Sequence, residues 1–105
     1  MFAVVFITCP DIASARRVAE GLLGSRLAAC INILEGVKSL FWWKGEVEEA
    51  DEVLLVVKTR LALIRDLITK VKELHPYEVP EVIALPIVDG SDDYLAWLGG
   101  EVRRA

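Results

Sequence analysis

Scarcity is what first distinguishes this 105-residue chain, which has one histidine, one methionine, two cysteines and four prolines. Cys9 and Cys30 are too few, at this spacing, to suggest a zinc framework. In a reducing compartment they are expected to be thiols rather than a disulfide. No apolar stretch approaches the ~20 residues of a membrane-spanning helix, because polar or charged residues interrupt each one. An excess of positive charge is also missing. With 12 basic and 16 acidic side chains the net charge is −4, which argues against a phosphate backbone as the main partner and makes nucleic acid a poor candidate. Met1-Phe2-Ala3-Val4 enters an apolar strand without a basic leader or a cleavage-site pattern, so the expected location is the cytoplasm.

What the chain has in plenty is apolar surface, at 54% of residues without counting glycine, against the ~45–50% usual for soluble domains with glycine included. One domain, 1–105, is expected, small enough to bury only about two thirds of its surface as a lone monomer. The surplus fits contacts between subunits. The order of periodicities is βαββαβ. Phe2 to Thr8 is a nearly continuous β-forming run that predicts a central strand. Ala15, Val18, Ala19, Leu22 and Leu23 recur at helical spacing, with Arg16, Arg17 and Glu20 opposite, and this helix is expected to end near Gly24.

Ala28 to Trp43 and Glu46 to Thr59 read as one long hairpin. Lys44-Gly45 is preferred for its turn over Glu49-Ala50-Asp51-Glu52 because it leaves arms of similar length, and Gly36 is expected at a bulge. Ile64, Leu67, Ile68, Val71 and Leu74 mark a second helix, stopped by His75-Pro76. Val82 to Val88 supplies the last core strand, with Pro86 at an edge or bulge. Ser91 caps a short final helix containing Tyr94 and Trp97. The class is therefore α+β, with two helices on one face of a four-stranded antiparallel sheet and the other face bare. Oligomerisation is the expected cover.

The densest chemistry lies in His75-Pro76-Tyr77-Glu78-Val79-Pro80-Glu81, where each proline biases its predecessor toward extended backbone. Taken with Ala28-Ala29-Cys30-Ile31-Asn32-Ile33, Trp42-Trp43-Lys44-Gly45-Glu46, Lys58-Thr59 and Tyr94-Leu95-Ala96-Trp97, this ordered set resembles the CutA family of divalent-ion-tolerance proteins. The resemblance runs from about Val4 to Trp97. It implies a ferredoxin-like subunit in a cytoplasmic homotrimer, linked to copper and other divalent metals.

His75 is the natural metal-ligand candidate, because a neutral imidazole suits copper or zinc. Cys9, beside Pro10, is the preferred thiol, with Cys30 read as a small buried hydrophobe. The chain departs from copper-binding relatives in having Ile7 where they can carry a cysteine and Leu74 where they can carry a second histidine. A second reading is a sensor similar to PII signalling proteins, with an intersubunit cleft for a small anionic ligand formed by Trp43, Lys58, Tyr77 and Glu78. An enzyme using His75 or Tyr77 with Glu78 ranks third, and no catalytic residue is assigned. Trp42 and Trp43 must point to opposite faces, so one is expected inward and one against a partner. The run Glu46, Glu48, Glu49, Asp51, Glu52 reads as a solvated surface.

Overall fold

The alternation expected of a half-covered strand is plain in β1 (Phe2–Cys9), where Ala3, Val5, Ile7 and Cys9 are completely buried. Their neighbours Phe2, Val4 and Phe6 point to the other face and stay partly exposed. The computed structural model describes residues 1–104. It continues with α1 (Ile12–Gly24), β2 (Cys30–Trp43), β3 (Glu46–Arg60), a 3-10 turn at Leu61–Leu63, α2 (Ile64–Leu74), β4 (Val82–Pro86) and α3 (Asp92–Glu101). The sheet order is β2-β3-β1-β4, antiparallel throughout. β1 is thus central, and Pro86, which cannot donate to a ladder, ends an edge strand. That strand stops at Pro86 rather than Val88, where the backbone leaves the sheet after Ile87 N–H donates to the Phe2 carbonyl.

Both main helices cover the same face. Asp11 caps α1 by accepting from the Ser14 amide at 2.7 Å, and Val18 and Leu22 of α1 join Leu67 and Val71 of α2 over Val5, Ile7, Leu55 and Val57. Ser91 caps α3, whose Leu98 enters the same core. Arg103 holds Asp66 of α2 at 3.0 Å and Arg26 holds Glu101 at 2.9 Å, so α3 and the residues just after it are tied to α2 and to the turn that follows α1.

The hairpin turns at Lys44-Gly45, with φ of 50° and 82°, the left-handed pair that a two-residue turn between twisted strands needs. At Gly36, with φ of 80°, the β2–β3 register shifts between Leu34 and Val37. The arms make the molecule 44 Å long against 26 and 22 Å in the other directions. Projection corrects one expectation. Neither tryptophan packs inward, since Trp42 is 74% and Trp43 49% exposed, because this end of the hairpin extends past the helices and has no core to enter.

Leu67 tests the packing. Leu67→Ala should lower the unfolding free energy by ~2–5 kcal/mol, while exposed Arg65→Ala stays within about 0.5 kcal/mol; denaturant titrations at one fixed protein concentration make the comparison.

Candidate functional site

The site begins where the β1–β4 ladder stops, at Ile7 opposite Val82. One residue on, the Thr8 carbonyl is taken by His75. Its Nε2 lies 2.6 Å from that oxygen, while the Tyr77 amide donates to Nδ1 at 3.0 Å. A ring that accepts at Nδ1 donates from Nε2, so the geometry fits a neutral imidazole with both nitrogens engaged. Pro76 holds His75 at φ −81° and ψ 138°, ending α2 and aiming the ring back at β1. His75 is 7% exposed and staples the connector to the sheet.

Tyr77 is the second anchor. Its hydroxyl donates to Glu52 Oε2 at 2.9 Å, and its ring lies 4.9 Å from the His75 ring. Desolvation, then the bond to Glu52 and the charge of that carboxylate, push the phenol up to about 12. Cys9, buried beside this group, is raised to about 11 by desolvation first and then by the charges of Asp11 and Glu52. It is therefore a thiol at neutral pH. The burial of the two cysteines is the opposite of that expected, Cys30 being the more exposed. Cys9 continues the buried odd-numbered face of β1, whereas Cys30 lies on the open face, partly exposed, with Lys58 Nζ 4.0 Å from its sulfur.

Between the connector and the arms of the hairpin lies a cleft of about 840 Å³. Trp43, Phe41 and Tyr77 give it aromatic walls, and Glu48, Glu52, Glu78 and Glu81 give it carboxylates. Of the residues expected to line a cleft, Trp43, Tyr77 and Glu78 come together. Lys58 does not. It bonds the Asn32 side-chain amide and stands six residues from Glu52 along β3, roughly 20 Å by the strand rise. Within one subunit, therefore, Lys58 stands apart from the other three. Nor do His75 and Cys9 form a ready metal site, since among the described residues no three His, Cys, Asp or Glu side chains are grouped to hold an ion. Sequence reasoning missed Glu52 and Thr8. Glu52, assigned to the solvated run, is only 8% exposed; its position directly before the apolar run Val53–Val57 was the available signal.

A profile of the CutA1 divalent ion tolerance protein family matches residues 3–101. The divalent-cation tolerance protein CutA of Thermus thermophilus is 50% identical over 98 residues, covering 93% of this chain and 95% of that protein. The Pectobacterium atrosepticum protein of the same name is 42% identical over 95% of this chain and 91% of its own length. The chain spans 58% of the chloroplastic CutA 1 of Oryza sativa, at 44% identity. Among solved structures, that of the Thermus thermophilus divalent cation tolerance protein superposes with a TM-score of 0.96 at 48% identity, covering 98% of this chain and all of that one. One from Archaeoglobus fulgidus, described as periplasmic, gives 0.95 at 39%, covering 98% and 100%.

The raised thiol and phenol set the alkaline limit. Both protons are held more tightly in the folded chain than at the ordinary values of 9.0 and 10.0. Their contribution is complete below about pH 9 and is lost as pH rises toward 11 and 12. The unfolding midpoint should fall across that window, and Cys9→Ala or Tyr77→Phe should each flatten the fall relative to the parent; denaturant curves at stepped pH measure it.

Proposed function

This chain belongs to the CutA1 divalent ion tolerance protein family, and on that premise we propose that it works as a cytoplasmic homotrimer that binds copper or another divalent ion. The observation that carries the assembly is the uncovered sheet face. Val4, Phe6, Leu54 and Val56 lie there partly exposed, and Leu34, Ile83 and Leu85 are 44%, 52% and 49% exposed. Register places Phe6 beside both Val56 and Ile83, and Val4 beside Leu85, so the patch is continuous across strands. Covering it gains about 25 cal/mol per Å². The projecting hairpin, with Trp42 at its end, gives each subunit an arm to lay on its neighbour.

For the metal, the support is membership of a divalent ion tolerance family together with the placement of Cys9 and His75 near the same end of β1, although among the described residues they are not grouped with a third donor. Cys9 feels the charge of Glu52, and His75 is bound to the residue next to Cys9. In the closed subunit these donors serve the fold. Metal contact at His75 requires the connector to give up its bond to Thr8 or Tyr77, and contact at Cys9 requires loss of the thiol proton. The proposed role is therefore uptake coupled to opening of the connector, and it is a binding role rather than a catalytic one.

Light scattering should give about three times the 11.6 kDa chain mass. Val56→Glu should reduce that mass, and an unchanged trimer would remove the open face from the interface. For Cu(I), competition with a soft chelator should show affinity rising about tenfold per pH unit, because a thiol must be deprotonated to bind. Cys9→Ser should abolish that slope, and His75→Ala should speed uptake by freeing the connector while weakening Cu(II) binding in calorimetry.

A further inference from the structure

We infer that the cavity beside the last turn of α3 binds a phosphate group, free or on a small molecule, with Arg60 and Arg104 as its cations. Those two guanidiniums, Val102 and the backbone of Gly99 and Gly100 line a space of about 510 Å³, and no carboxylate does. Its size falls within the ~300–1,000 Å³ of small-molecule sites. Arg60 is the last residue of β3, so the cavity lies at the opposite end of that strand from the hairpin turn. Its Nη2 donates to the Gly99 carbonyl at 2.8 Å, which turns the side chain onto α3. None of the residues assigned above to the subunit interface lines these walls.

The state of Arg60 separates this cavity from an ordinary basic surface. Among the described residues, its Nε is the sole buried side-chain nitrogen or oxygen without a hydrogen-bond partner. A buried donor on a charged group is costly to leave unpaired. The side chain is built into place. Its guanidinium lies 5.4 Å from the centre of the Phe2 ring, and Gly99 permits the close approach, since a Cβ there would stand 3.1 Å from Phe2 Cζ and 3.4 Å from Arg60 Nη2.

Positive charge is also left over. Arg16, Arg26, Lys38, Lys70 and Arg103 each hold a carboxylate, whereas among the described residues Arg60 and Arg104 hold none. Glu101, next to Gly100, is turned to Arg26. A guanidinium offers Nε and a terminal nitrogen as a fork that fits two oxygens of one oxyanion. Two such cations match the roughly two negative charges of a phosphomonoester near neutral pH better than the single charge of a carboxylate. The carbonyl end of α3 opposes an anion, but it carries only a partial charge, and the Arg60 bond to Gly99 already offsets part of it. Because Nε is screened from water, the guanidinium must turn slightly to share it with the guest.

Inorganic phosphate and glycerol 3-phosphate are the probes, titrated by calorimetry into the intact chain at low salt. EDTA keeps metal out of the measurement, and acetate at matched ionic strength is the singly charged control. Saturable phosphate binding with clearly weaker acetate binding is expected; the tighter of the two phosphates tells whether the site takes the ester or the free ion. Arg60→Gln and Arg104→Gln should each weaken phosphate by about tenfold or more, the scale of a lost bond to a charged group, while exposed Arg65→Gln on α2 leaves it unchanged. Gly100→Glu places a carboxylate where the fold has open space for a side chain, so it should abolish binding in a chain that still folds. In nuclear magnetic resonance the Arg60 Nε–H signal, identified by its loss in Arg60→Gln, should move as phosphate is added to the parent. No saturable binding, acetate bound as well as phosphate, or an Nε–H signal that stays still while phosphate binds would each overturn the assignment. So would an unchanged affinity in Arg60→Gln, Arg104→Gln or Gly100→Glu, or an equal loss in Arg65→Gln.

Discussion

A four-stranded sheet has two faces, and this chain spends both of its long helices on one of them. Every other large feature answers to that imbalance. The helix-covered face is dry, with Val5, Ile7, Leu55 and Val57 completely buried, and it supplies the cohesion of the subunit. The opposite face carries side chains of the same kind in the same strands, half in water. A third long helix would have closed it within one chain. α3 is too short, and it sits at the end of the sheet, where Leu98 plugs the core and Gly99 lies against Phe2 and Arg60.

The end of the sheet near the connector is organised differently, by hydrogen bonds instead of packing. Because β4 starts opposite Ile7, β1 runs on beyond its partner, and the Thr8 carbonyl needs a donor inside a crowded region. His75 supplies it. That ring in turn receives the Tyr77 amide, and the Tyr77 hydroxyl reaches Glu52. The chain of bonds runs from strand to connector to hairpin, so the same residues that close the subunit also shape the wall of the cleft.

Backbone features were legible in the sequence wherever a residue type has one geometric use. Lys44-Gly45 made the turn, Gly36 the bulge and His75-Pro76 the end of α2, and the βαββαβ order followed from periodicity. Side-chain environments were less legible, because they depend on where a strand crosses the edge of the body. Trp42 and Trp43 alternate as expected, yet both lie beyond the helices. Glu52 looks like its acidic neighbours in sequence and differs only in standing where the hairpin enters the sheet. Cys9 and Cys30 exchanged environments because the period of two fixed which residues share a face, while the choice of covered face came from the helices.

The central place of β1 also has a kinetic side. It precedes every other strand in the chain, yet its two neighbours are the far arm of the hairpin, where Phe2 meets Arg60, and the last strand, where Ala3 meets Pro86. Such long-range pairings are slow to close, because the loop between them must be ordered before any contact rewards it. On the ribosome, Phe2–Cys9 is therefore born as an unpaired, uncharged β-segment; its first partner arrives only with Val53–Arg60, and its second edge stays open until Val82–Pro86 emerges. Slowing translation between β1 and β4 therefore lengthens the interval in which an edge of this strand is open to aggregation.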